Sequence, residues 1–359
     1  MRLLSRIKNS KNYLKYKKEF YKKAVVSYPP RHVSIGVMGG ACSFQCAFCA
    51  YHCPDAAQIS NVYKLPFTLS MEDFKKMVDM CYQSNVPHVH LTAGGEPFLC
   101  NDILKMIDYV IYVYGEVSLQ TDFFKEIFEM KNYLDEILKR KKYISYITTD
   151  ILSGDPAQHE QLKKGSDFKY LMDSMEYLSK NSKIKFKSHL IITKHNYLKL
   201  NDLIDEFAKR KINTMLEIVN LHPHGFNELT SKDSVYLSGD VEITEALSAA
   251  KAYGKEKGVK VLIPLPFDKK EGRCGSFWTR FQTWPVKGND PKRYGENVII
   301  GGCNAVVLGD LSSLGYMFDY DNIMDLWNNE RFVKIRKDLM NGIYPDKECA
   351  NCQSYKKTN

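Results

Sequence analysis

The chain has 359 residues, 44% of them hydrophobic, with ten cysteines and a formal charge of +9, enough for one large domain and a small one. No uninterrupted apolar stretch approaches the ~18 to 20 residues of a helical membrane span, and the N-terminus lacks the apolar core and small-residue cleavage site of a signal peptide. The chain is therefore expected in the cytoplasm, with reduced thiols available to metals instead of a disulfide framework.

The opening segment, RLLSRIKNSKNYLKYKKEFYKKAV, mixes lysine and arginine with Leu, Ile, Tyr and Phe at roughly helical spacing and predicts a basic amphipathic helix within residues 1–30. Such a helix could pack on the outside of the fold, touch an anionic membrane surface peripherally or grip an acidic partner. No repeated basic-aromatic pattern follows, which disfavours nucleic acid. Pro29 and Pro30 end the helix. Short β-branched or apolar runs then alternate with longer amphipathic ones, as parallel strands do with crossover helices. Strands are expected at about 32–37, 88–92, 117–120, 144–148, 185–192 and 213–219, and helices at about 71–83, 102–114, 123–140, 168–180 and 198–210. Past Pro264 and Pro266 the composition shifts, giving a boundary between residues 31–266 and 267–359.

Three cysteines, Cys42, Cys46 and Cys49, stand in one run, GGACSFQCAFCAYHC, just after the first predicted strand. A cubane iron-sulfur cluster takes one thiolate on each iron, so C-x3-C-x2-C leaves one iron open to a ligand that is not protein. Zinc is the competing reading: His52 and Cys53 are close enough in sequence to close a four-ligand set. After the second predicted strand comes LTAGGEPF, in which Thr92, the pair Gly94 and Gly95, then Glu96 and Pro97 sit where a ligand would approach the backbone.

Together these two motifs resemble the radical S-adenosylmethionine (SAM) superfamily. The resemblance implies a partial (β/α)6 TIM-like barrel in an α/β fold, with ligands at the carboxyl ends of the strands. It implies a 4Fe-4S cluster on Cys42, Cys46 and Cys49, with SAM chelated to the open iron and split reductively to a 5'-deoxyadenosyl radical. Phe48 matches the aromatic residue before the third cysteine. Thr92, Gly94, Gly95, Glu96 and Pro97 fall on the segment that binds the methionine end of SAM. Weaker likenesses carry over Asp150 in TTDILSGDPAQHEQLKKG to the nucleoside side, and Thr193, Asn220 and His222 to SAM or substrate; each is equally read as a polar strand-end or loop residue. At the third strand SLQTDFF replaces the family's Thr-Asn-Gly. Cys100, close behind GGEPF, is a candidate hydrogen donor to a substrate radical and the one catalytic side chain predicted.

A second group, Cys274, Cys303, Cys349 and Cys352, follows in RCGSFWTRFQTWP, GGC and CANC. Its spacing resembles the C-terminal SPASM extension or its shorter twitch form, which implies a small α+β domain with an auxiliary 4Fe-4S cluster on these four thiolates; structural zinc is again the alternative. Trp278, Arg280, Gln282 and Trp284 at the junction are candidate substrate contacts or packing residues. The resemblance implies an oxidoreductase reduced by flavodoxin or ferredoxin, which oxidises or epimerises its substrate. Peptide-modifying relatives often carry an N-terminal recognition domain, and the segment ahead of Cys42 is too short for one. A small polar substrate, a sugar or aminosugar derivative, is therefore expected. A peptide, an RNA or a non-catalytic sensor role are the alternatives.

Overall fold

The protein is described here by a computed structural model, covering residues 2–49, 52, 67–221, 240–264, 273–285, 297–301, 314–345, 349 and 355–356. It opens with α1 (Arg2–Glu19), β1 (His32–Gly36) and three short strands, β2 (Met38–Gly39), β3 (Gln45–Cys46) and β4 (Phe67–Thr68). The alternation then sets in: α2 (Met71–Gln83), β5 (Val89–Thr92), α3 (Ile103–Tyr114), β6 (Val117–Gln120), α4 (Lys125–Met130), α5 (Tyr133–Lys139), β7 (Ile144–Asp150), α6 (Pro156–Leu162), β8 (Lys163–Lys164), α7 (Phe168–Asn181), β9 (Lys185–Ile192), α8 (Leu200–Arg210), β10 (Thr214–Asn220), α9 (Val241–Lys257) and β11 (Lys260–Leu262). The C-terminal part contributes β12 (Arg273–Cys274), α10 (Ser276–Thr279), β13 (Arg280–Pro285), β14 (Asn297–Gly301), α11 (Ile323–Trp327), α12 (Glu330–Met340) and β15 (Tyr355–Lys356).

All six expected strands form, and they pair in parallel in one sheet of order β11-β10-β9-β7-β6-β5-β1-β13-β14. Two parallel strands beyond the six extend it, β11 beside β10 and β13 beside β1, and β14 closes the row antiparallel to β13. β13 lies within the segment that sequence assigns to the C-terminal domain, yet it is a direct neighbour of the strand that leads into the cysteine loop. Alternation in β9 shows why the sheet has two different faces. Phe186, Ser188, Leu190 and Ile192 are buried, whereas Lys187 and His189 point to the other face with partial exposure. Leu203, Ile204 and Phe207 of α8 are buried in the same core as Phe186 and Leu190, the period-3.6 stripe of a crossover helix meeting the period-2 face of its sheet.

One predicted helix is two. The expected run over 123–140 breaks at Asn132, which takes a left-handed φ of 50° between α4 and α5, a conformation that asparagine adopts at less cost than most residues.

The segment after α1 is fastened to the C-terminal helices. Tyr21 stacks on Trp278 with 4.3 Å between ring centroids, and the Trp278 indole N–H donates to the Lys23 carbonyl at 3.0 Å. Trp278 is thus a fully buried packing residue and not a substrate contact. Arg336 of α12 is also fully buried: its Nε donates to the Phe277 carbonyl (2.7 Å), one terminal nitrogen donates to the Ala24 carbonyl (2.9 Å), and the guanidinium lies 4.4 Å from the Trp327 ring centroid. The Asn328 side chain bonds both the N–H and the carbonyl of Val26. Replacing Arg336 with methionine keeps the volume but removes both charged donors, so the Arg336→Met variant should lose on the order of 3 kcal/mol, the scale of two hydrogen bonds from a charged group. A urea titration followed by circular dichroism reads this, and an unchanged midpoint would refute the fastening role.

Candidate functional site

Two loops at the carboxyl ends of β1 and β5 form the heart of the site. The first carries Cys42, Cys46 and Cys49, all partly buried. Its shape is set by backbone bonds: Cys49 N–H donates to the Cys46 carbonyl (3.0 Å), and Ala47 N–H donates to the Leu162 carbonyl (2.8 Å). β3 pairs antiparallel with β8, Cys46 opposite Lys163 and Gln45 opposite Lys164. Phe44 and Phe48 are buried beneath the loop. Desolvation pushes the Cys42 thiol up to about 12, with the Glu96 and Cys49 charges adding to it, and pushes Cys46 well above its ordinary value. Metal binding to thiols raised in this way displaces their protons.

The second loop, after β5, lies against the first. Gly94 N–H donates to the Met38 carbonyl (2.9 Å), and the His52 ring Nε2 donates to the Gly94 carbonyl (2.6 Å). A Cβ at Gly95 would stand 1.8 Å from the Ala41 carbonyl oxygen, so the two loops touch backbone to backbone and only glycine fits. Pro97 starts a short 3-10 turn, Pro97–Leu99. The Glu96 carboxylate, 2% exposed, is taken up inside the protein: it accepts from Phe98 N–H (3.1 Å), the Thr121 hydroxyl (2.8 Å) and Asp122 N–H (2.8 Å). Burial, with the Asp122 charge added, lifts its pKa to about 7. Thr92 donates its hydroxyl proton to Gln120 Oε1.

Beside these loops runs a polar row. Asp150 ends β7, with its N–H donating to Asp122 Oδ1 (2.7 Å) and its carbonyl accepting from Lys163 Nζ (2.8 Å). Across the sheet register Asp150 faces His189, and His189 faces Glu217. The imidazole lies between both carboxylates, Nδ1 at 3.4 Å from Asp150 and Nε2 at 3.5 Å from Glu217. Burial alone would lower the His189 pKa, but the two carboxylates outweigh it and raise it to about 9, so the ring is an imidazolium at neutral pH. Burial would likewise raise the Asp150 pKa, and the His189 hydrogen bond and charge instead hold it below its ordinary value.

The other expected residues fall in different surroundings. Thr193 is fully buried in a turn in which its N–H and hydroxyl both bond Asn196 Oδ1. Asn220 is buried at the end of β10. Cys100 is 1% exposed within the hydrophobic core. Cys274 is buried on β12, opposite Tyr355 of β15, and the partly buried Cys349 packs on the core. His222, Cys303 and Cys352 lie outside the described residues. Asp122, Lys163, His189 and Glu217 were not anticipated. The polar residues at alternate positions Lys185, Lys187 and His189 in β9 were the available signal for one of them.

Among the described residues no group of three or more His, Cys, Asp or Glu side chains closes on a single-ion site. A cubane asks for something different: its thiolates bind separate irons. Three neighbouring thiols on one loop, with a backbone-only wall at Gly95, fit that group. Cys42, Cys46 and Cys49 would hold it, and the Gly94-Gly95 backbone would face the ligand of its open iron.

Residues 37–206 match the profile of the radical SAM superfamily. No curated protein matches the chain significantly in sequence. Among solved structures, Streptococcus suis SuiB superposes with a TM-score of 0.64 at 14% identity, over 96% of this chain and 76% of SuiB. SuiB bound to its precursor peptide SuiA gives a TM-score of 0.63 at 14% identity, over 96% and 75%. The enzyme anSMEcpe with bound AdoMet gives 0.59 at 17% identity, over 91% of this chain and 92% of its own. At such identities the structural likeness speaks to the fold. Residues 37–206 thus resemble the radical SAM superfamily in sequence, within a fold shared with SuiB and anSMEcpe.

Proposed function

We propose that the chain is a radical SAM oxidoreductase acting on a peptide, with Cys42, Cys46 and Cys49 holding the SAM-binding cluster. The observation that carries this reading is the contact between the cysteine loop and Gly95, with the Ala41 carbonyl where a Cβ would be. When bound, the cluster and SAM supply a carbon radical able to remove hydrogen from an unactivated C–H bond. The chain's own residues bind and orient. The Gly94-Gly95 backbone would hold the methionine end of SAM, and Glu96 stiffens that loop through its bonds to Thr121 and Asp122. Asp150, held by His189, would contact the nucleoside. Holding the target C–H bond against a radical source is mainly a matter of position and exclusion of water.

Cys274, Cys303, Cys349 and Cys352 form the ligand set of an auxiliary 4Fe-4S cluster in a C-terminal domain, in which a fully ligated centre suits electron transfer. The pairing of β12 with β15 supports this reading, because it brings Cys274 to the strand just beyond the C-x2-C pair. Flavodoxin or ferredoxin is the proposed reductant.

The choice of a peptide rests on the comparison with anSMEcpe, a structure of which holds the Kp18Cys peptide and matches 86% of this chain at 16% identity. A protein that this chain spans over nine tenths of its length thus accommodates a peptide, which removes the reason for preferring a sugar. The partly exposed charged row of Asp150, His189 and Glu217 favours the second reading, a small polar substrate such as an aminosugar derivative.

Anaerobically reconstituted protein given SAM and dithionite should release 5'-deoxyadenosine, and Cys42→Ala should abolish it; absence of the nucleoside from the unaltered protein would end the proposal. Deuterated peptides and aminosugars compared side by side should transfer deuterium to 5'-deoxyadenosine only from the true substrate class. Cys274→Ala should lose one cluster's share of iron and sulfide while Cys46→Ala loses the other, whereas unchanged iron in Cys274→Ala would eliminate the auxiliary site. Gly95→Ala, which drives a methyl group into the Ala41 carbonyl, should weaken SAM binding at least tenfold in equilibrium dialysis, the equivalent of about 1.4 kcal/mol; equal affinity would show that the loops need not touch.

A further inference from the structure

Apart from its contact with the loop after β5, the cysteine loop is fastened to the barrel at the short segment that follows α6. Besides the Ala47 bond to Leu162 and the β3–β8 pairing, Gly165 takes a φ of +88°, and a Cβ there would lie 2.6 Å from the Ser43 carbonyl oxygen. Lys163 sits at the centre of this segment. Its side chain is 1% exposed, and its Nζ is 2.6 Å from Asp122 Oδ2, 2.8 Å from the Asp150 carbonyl oxygen and 5.0 Å from the centroid of Phe44.

We propose that Lys163 is a positioning residue for the first cluster, clasping its loop and raising its reduction potential with a buried positive charge beside Cys46. The inference rests on the reading of Cys42, Cys46 and Cys49 as cluster ligands. A cubane on three thiolates becomes more negative by one charge when reduced, so a nearby cation favours the reduced form and a nearby carboxylate disfavours it. Water screens little at this depth, so solvent does not mask either charge of the Lys163–Asp122 pair. The Asp122 carboxylate orients the ammonium and offsets part of its field. Lys164, next in the same segment but exposed to solvent, supplies an internal control, since its charge is screened.

The test is the midpoint potential of the reconstituted holoenzyme without SAM, followed by electron paramagnetic resonance during a redox titration. Lys163→Met should shift the potential downward, Asp122→Asn upward, and Lys163→Arg and Lys164→Met should leave it near the unaltered value. Equal potentials in Lys163→Met and the unaltered protein, at equal iron content, would overturn the proposal, as would shifts of the same sign in Lys163→Met and Asp122→Asn. If Lys163→Met takes up no cluster, the clasp is upheld and Asp122→Asn decides the electrostatic part: an upward shift supports it and no shift refutes it. Failure of the underlying reading looks different, because Cys46→Ala would then keep its full iron and the unaltered protein would give no cubane signal to titrate.

Discussion

The architecture of the site depends on one close approach, in which the backbone at Gly95 lies against the Ala41 carbonyl. Two loops from adjacent parallel strands, β1 and β5, meet there without a side chain between them. The register of that strand pair, Ile35 with Leu91 and Gly36 with Thr92, delivers both loops at the same height. Further contacts of the cysteine loop flank this point: the β3–β8 bridge on one side, the His52 bond to Gly94 on the other. Parallel sheets put all such loops at one end, and for that reason a handful of strand-end residues can share a ligand.

Around that contact the charges form a connected set. Glu96, Asp122, Lys163, Asp150, His189 and Glu217 pass hydrogen bonds or ion pairs from one strand end to the next across the sheet. Buried ionic groups are costly unless each finds a partner, and here each does. The set ties the second to the sixth of the six expected strands to one another at the end where the cysteines lie. Its members on β9 and β10 are also partly exposed, so the same residues that brace the sheet line the space in front of it.

Much of this was legible in the sequence because local patterns carried it. The six strands show as short apolar runs, and the cysteine and glycine motifs identify the loops after β1 and β5. Legibility ended where a residue's role depends on partners distant in the chain. Glu96 reads as a ligand contact until Thr121 and Asp122 are seen occupying its carboxylate. SLQTDFF looks like a departure from the family's third strand, yet its Asp122 is the hub that receives Lys163 and the Asp150 N–H. Trp278 looks available beside Arg280 and Gln282, but a tyrosine more than 250 positions away covers it. The break at Asn132 was hidden because the apolar period continues through it; only the backbone turn reveals two helices.

The lateral order of the sheet also dictates a sequence of events at the ribosome. β1 gains its inner neighbour β5 within sixty residues of synthesis, but its outer neighbour β13 is made about 250 residues later. Until then one edge of the strand that leads into the cysteines has no partner, and the peptide after α1 awaits Arg336 and Asn328. Contacts of such long separation form late. A nascent chain therefore carries its first three thiols beside an unfinished sheet flank until β13 has been made.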